Sequence, residues 1–123
     1  MRKICVVSGS RADYWLLKPV VLRLHQSKKN ILKIVLTGAH LITEEREIWD
    51  DLKASGITDI KRIDCVISSD EAVAVTKSLG IGMIGFADLL HDLSPDLVVV
   101  LGDRYEILAA VTACLLFGIP VGH

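Results

Sequence analysis

Short apolar runs rich in β-branched residues alternate along the chain with longer stretches in which apolar positions recur at helical spacing. Ile4-Cys5-Val6-Val7 predicts a strand ended by Ser8-Gly9-Ser10. From Asp13 to His25 the apolar positions Leu16, Leu17, Val20, Val21 and Leu24 follow a helical repeat, with Pro19 expected to cause only a local distortion. Ile31 to Leu36 predicts a second strand, closed by Thr37-Gly38. Thr43 suits an N-cap, and Glu44 and Glu45 fall in the first turn, where the helix dipole favours acids. That helix is expected to run to about Ser55, with Gly56 as the residue that terminates it.

Ile60 to Val66 is a more polar run, as expected of an edge strand. Ser68 and Glu71 match a capping box opening a long helix that carries Val73, Leu79, Ile84 and Leu90 and stops at Ser94-Pro95. Leu97 to Leu101 predicts a strand buried on both faces. An apolar helix from Arg104 to Phe117, Gly118 after it, and a strand at Ile119-Pro120-Val121 complete the series. This alternation implies an α/β fold: a Rossmann-like, doubly wound parallel sheet of about five strands, forming a single domain over 1–123. Because Gly122-His123 follow directly on a strand, where such a sheet normally continues, the expectation is a truncated portion of something larger.

Composition narrows the classes. With 123 residues, 51% of them hydrophobic and 24% charged, the chain is long enough for one domain with a buried core and too apolar for a disordered one. A net charge of -1 gives no electrostatic case for nucleic acid or an anionic membrane, and 5% aromatics offer no base-stacking platform. Cys5, Cys65 and Cys114 show no paired spacing, which reads as packing residues in a reducing, cytoplasmic setting rather than as a disulfide or zinc framework. No secretory signal is visible at the N-terminus, and the run from Ile107 to Ile119 is too short to span a bilayer as a helix.

Candidate chemistry gathers at the carboxyl ends of the predicted strands, where open α/β sheets bind ligands. Asp103 follows Gly102 at the end of the Leu97–Leu101 run; Asp103-Arg104-Tyr105-Glu106 is also a D-x-x-E capping pattern, and one carboxylate can serve both purposes. In the first turn Gly9 and Ser10 let the backbone approach a ligand, and Arg11 adds a forked donor suited to phosphate. Ordinary capping by Ser10, with Asp13 completing the box, explains the same residues. His40 stands after the second strand, where a lone histidine is more often simply exposed. Gly80-Ile81-Gly82-Met83-Ile84-Gly85 matches G-x-G-x-x-G but falls inside a helical pattern with no strand before it, so close packing accounts for it better than a dinucleotide.

Four segments together resemble the hydrolysing UDP-N-acetylglucosamine 2-epimerases: Gly9-Ser10-Arg11-Ala12-Asp13-Tyr14, Thr37-Gly38-Ala39-His40-Leu41, Ser78-Leu79-Gly80-Ile81-Gly82, and Pro95 through Glu106. The resemblance runs the length of the chain, and Ala12-Asp13 and Asp103-Arg104 stand where non-hydrolysing relatives carry G-T-R-P-E and G-D-T segments. It implies the N-terminal half of a glycosyltransferase-B-like, two-domain architecture, the C-terminal nucleotide-binding domain being absent. It also implies hydrolysis of UDP-N-acetylglucosamine to N-acetylmannosamine and UDP, for sialic-acid-type sugars. In that scheme Asp103 is the catalytic carboxylate and Arg11 contacts the diphosphate. Arg104, His40, Gly9 and Ser10 line the substrate site, and neither metal nor cofactor is implied. The 123 residues alone are expected to be inactive, and their apolar helices to support a homo-oligomer. The alternative is a non-catalytic α/β module that binds a phosphate ligand or a protein partner.

Overall fold

The computed structural model describes residues 1–38, 45–64, 71–102 and 104–123. His40, Thr43, Glu44, Cys65, Ser68 and Asp103 lie outside the described residues. The elements alternate as expected: β1 (Arg2–Ser8), α1 (Arg11–Gln26), β2 (Asn30–Thr37), α2 (Glu45–Ala54), β3 (Ile60–Ile63), α3 (Ala72–Leu93), β4 (Leu97–Val100), α4 (Tyr105–Phe117) and β5 (Val121–Gly122). All strand pairs are parallel, in the order β3-β2-β1-β4-β5, so β3 does lie at an edge. The chain leaves β1 toward one side and returns through β4 on the other, which makes the β1–β4 boundary the topological switch point.

Period-two alternation along β1 divides the core into two layers. Val6 faces α1 and α2, packing with Tyr14, Leu17, Ile48 and Leu52. Cys5 and Val7 face α3 and α4, packing with Phe86, Leu90, Ile107 and Ala110. The β1–β4 register is pinned at its start by Asp96, whose Oδ2 accepts from the Lys3 N–H and whose own N–H donates to the Lys3 carbonyl, both at 2.8 Å. Between α1 and α2 the Tyr14 hydroxyl donates to Asp51 Oδ2 at 2.5 Å, and Lys18 Nζ lies 3.0 Å from Asp51 Oδ1.

Two capping expectations need correction. The N-cap of α3 is Glu71, with no side-chain cap, so the helix begins after the acid that the capping box would have placed inside it. The N-cap of α4 is Arg104 rather than Asp103, and Glu106 does not fold back to close a box, because its carboxylate is packed against the strand ends. The glycine-rich stretch does fall inside α3; there Gly82 is buried and Gly85 meets the side chain of Ile63 on β3 so closely that an added Cβ would lie 2.8 Å from Cγ2. By length and composition α3 is apolar enough to cross a membrane, but here it is the crossover packed on the sheet between β3 and β4.

Candidate functional site

At the carboxyl end of β1 the turn is tied down locally: Ser8 Oγ donates to the Ser10 carbonyl at 3.2 Å, and Ser10 Oγ accepts from the Asp13 N–H at 3.2 Å. The expected Ser10 cap of α1 is therefore present. Arg11 opens α1, and its guanidinium reaches sideways to Glu47 of α2, 3.2 Å from Oε1, in a half-exposed pair. Such pairs hold by about 1 kcal/mol or less, so an anionic ligand competes for Arg11 at small cost.

The residue on which the ends of β1 and β2 close is Glu106. It is the one charged residue in α4, and its side chain is wholly buried, with 0% exposure. Gly9 ends β1 and Gly38 ends β2, and both backbones press on this side chain: a Cβ added at Gly9 would lie 2.7 Å from Glu106 Cγ, and one at Gly38 2.7 Å from Cδ. Arg104 Nε stands 2.9 Å from Glu106 Oε1 as an ion pair, while neither carboxylate oxygen makes a well-aligned hydrogen bond among the described residues. The Arg104 side chain is 52% exposed, and its guanidinium carbon lies 6.0 Å from the centre of the Tyr105 ring.

Asp13 faces the same place from α1; its Oδ2 would be 2.9 Å from a Cβ on Gly102, the residue that follows Leu101 at the end of β4. Burial holds the Glu106 carboxyl above the ordinary glutamate value. Its own backbone N–H and Arg104 pull the other way, and Asp13 adds to the rise. His123 reaches over from the end of β5, with Nε2 3.1 Å from the Gly102 carbonyl.

Of the residues nominated from sequence, Gly9 and Arg104 are brought together around Glu106, Ser10 caps the adjoining helix, and Arg11 turns toward α2. Asp103 and His40 lie outside the described residues. Glu106 and His123 were missed. A lone carboxylate in the first turn of an otherwise apolar helix was the available signal for Glu106, but the D-x-x-E spacing assigned it to a cap. A cavity of about 140 Å³ lined by His25, Asn30, Gly56 and Asp59 sits at the opposite end of the sheet, away from the strand ends that bind ligands in such folds.

A parallel sheet with charged groups gathered at the strand ends beside its switch point defines an open, doubly wound α/β protein. The sequence model described as UDP-N-acetylglucosamine 2-epimerase matches residues 22–123, and the chain belongs to that family. It is 38% identical over 99% of its length to a GDP/UDP-N,N'-diacetylbacillosamine 2-epimerase (hydrolyzing) of Campylobacter jejuni, covering 32% of that protein. It is 37% identical over 100% of its length to a UDP-N,N'-diacetylbacillosamine 2-epimerase (hydrolyzing) of Legionella pneumophila, covering 33% of it.

Among solved structures, the Neisseria meningitidis UDP-GlcNAc 2-epimerase bound to UDP-GlcNAc superposes with a TM-score of 0.75 at 29% identity, over 98% of this chain and 31% of that one. The chain thus spans about a third of the length of the curated relatives it matches. Its five-stranded parallel sheet is that of the glycosyltransferase-B-like fold.

Proposed function

We propose that the chain contributes the crevice-forming N-terminal portion of a hydrolysing 2-epimerase that acts on a UDP-linked 2-acetamido sugar, UDP-N-acetylglucosamine being the expected substrate. The family match over residues 22–123 carries this reading. In the proposed reaction a base takes the C2 proton, the C2–H electrons form a C1–C2 double bond, the C1–O bond breaks with its electrons leaving on UDP, and a glycal remains. Water then adds back, its hydroxyl to C1 and a proton to C2 on the opposite face, giving N-acetylmannosamine. Positive charge near C1 calls for a fixed carboxylate, the proposed role of Asp103, and the departing diphosphate calls for cationic donors, the proposed roles of Arg11 and Arg104. Gly9, Ser10 and His40 are proposed to line the substrate site. A cytoplasmic location follows from the same reading and agrees with the free thiols of Cys5 and Cys114.

A second substrate reading has its own support. The two hydrolysing relatives at 38% and 37% identity are named for N,N'-diacetylbacillosamine, whereas the structure named for UDP-GlcNAc is 29% identical. Incubating the full-length protein with either UDP-sugar in deuterium oxide tests both. Release of UDP with one deuterium at C2 of the inverted free sugar is expected, the faster substrate identifying the natural class; release of UDP from neither overturns the proposal. The 123-residue chain alone is expected to show no turnover.

We further propose that α3 and α4 mediate self-association, since Ile84, Leu115 and Leu116 stand largely exposed on them. Sedimentation of the full-length protein is expected to show an oligomer that Leu115→Gln with Leu116→Gln weakens; a monomer unaffected by these changes contradicts the proposal.

A further inference from the structure

Glu106 is hard to explain as a stabilising residue. Its carboxylate has left water completely, and its only charge partner among the described residues is a half-exposed arginine. Burying such a pair often stabilises less than an apolar side chain of the same volume would, and a buried polar atom without an aligned hydrogen bond needs a reason to persist. The strand ends moreover accommodate it at some cost in sequence freedom, because Gly9 and Gly38 both leave space that the Glu106 side chain fills.

The geometry of the contact points to that reason. Glu106 meets Arg104 at Nε, the inner nitrogen of the guanidinium, at 2.9 Å. The edge formed by the two terminal nitrogens is the one that grips a phosphate in two places at once. A guanidinium on a flexible stem samples many rotamers; fixed at Nε from below and flanked by the Tyr105 ring, it is ordered before a ligand arrives.

We propose that Glu106 is a positioning residue that, from beneath the crevice, orients Arg104 so that its terminal nitrogens meet the diphosphate of a UDP-sugar. This inference rests on the proposed epimerase function and adds to it a residue that acts through Arg104 without touching the substrate.

The test is a double-mutant cycle in the full-length protein with UDP-N-acetylglucosamine and UDP-N,N'-diacetylbacillosamine as substrates. Glu106→Gln keeps the volume and removes the charge; misplacing a substrate-orienting group by about 1 Å is expected to lower kcat/KM on the order of 10²-fold. Arg104→Gln is expected to lower it as much or more, and the double variant to be no worse than Arg104→Gln alone, since one residue acts through the other. Additive losses, or a Glu106→Gln variant with wild-type kcat/KM, overturn the proposal.

A second readout does not need turnover. The Arg104 side chain is expected to show restricted motion at Nε by 15N relaxation in the ligand-free protein, and to become mobile in Glu106→Gln; equal mobility in both proteins overturns the proposal even if neither sugar is a substrate. Absence of turnover in the wild type alone sinks the epimerase reading and leaves this second comparison to decide the role of Glu106. Should Glu106→Gln fail to fold, Arg104→Lys takes its place, keeping the charge while deleting Nε. It is expected to lose kcat/KM on the same order, and wild-type efficiency in that variant overturns the proposal.

Discussion

The backbone at Gly38 runs so close to Glu106 that a Cβ added there would lie 2.7 Å from the carboxyl carbon and 2.7 Å from Oε1. Gly38 also has φ +65, where a side chain is strained in any surroundings. Gly38→Ala is therefore expected to lose roughly 2–4 kcal/mol, combining the left-handed backbone with overpacking. Gly118 provides the internal comparison: its φ is +69 but nothing lies within 4 Å of an added Cβ. Gly118→Ala should cost only the backbone part, about 1–2 kcal/mol. Urea unfolding of the two variants checks this, and equal losses would show that Glu106 does not press on Gly38. Shortening Glu106 to alanine should recover the steric part in Gly38→Ala.

The buried Glu106 carboxyl gives stability a definite pH dependence. Its folded value is raised above the usual 4.5, chiefly by burial and also by Asp13, against the pull of its own backbone N–H and Arg104. A carboxyl raised in the folded state holds its proton more tightly there than in the unfolded chain, so its contribution falls as pH rises from about 4.5 through the raised value. Glu106→Gln lacks this loss. The stability difference between Glu106→Gln and the wild type should shift in favour of glutamine as pH rises across that interval, read by thermal melts at several pH values. A difference that stays constant with pH would contradict it.

Asp51 and Tyr14 act at the two ends of the pH scale. Burial pushes the Asp51 carboxyl up, but the Tyr14 hydroxyl and Lys18 outweigh it and hold the carboxyl below its usual 3.8. Its contribution is complete above that value and is lost as pH falls through the lowered one. Tyr14, raised above its usual 10.0 by burial and by Asp51, contributes below that value and loses its contribution as pH climbs through the raised one. Tyr14→Phe removes a hydrogen bond to a charged group and is expected to cost about 1.5–3 kcal/mol at neutral pH. Denaturant unfolding would detect this, and wild-type stability in the variant would show the 2.5 Å contact to be inconsequential.

Burial pushes the thiols of Cys5 and Cys114 up to about 12 and about 11, the nearby Cys114 and Asp59 adding to the effect on Cys5. Thiolate is the reactive form, so neither residue should be alkylated by iodoacetamide at pH 8 in the folded chain, and both should react in denaturant. Peptide mapping by mass spectrometry reads each site separately. Rapid native labelling of Cys5 would mean that the layer between the sheet and α3 opens readily.

The relation between sequence and structure differs from element to element. The strands and helices were legible because their apolar periods, two and 3.6 residues, are properties of neighbouring positions. So was the rejection of the glycine motif as a nucleotide turn: its surroundings are helical, and Gly85 indeed makes room for Ile63. The Ser10 cap was legible because both partners lie within one turn. The helix starts expected from the capping patterns fall instead at Glu71 and Arg104, because a four-residue pattern fixes spacing but not which residue begins the helix.

By itself, then, the sequence determined an alternating parallel α/β sheet and the residues that stand at its strand ends. The tertiary structure decided what those residues face. Glu106 looks like a cap in its own segment, yet β1 and β2 arrive from distant parts of the chain with glycines at their ends and leave a space that its carboxylate fills. Arg11, equally exposed in sequence terms, finds Glu47 on α2 because α1 and α2 lie on the same face of the sheet. Local spacing sets which groups are available; packing between remote segments sets which of them are buried together, and burial is what turns a surface carboxylate into one that can hold an arginine in place.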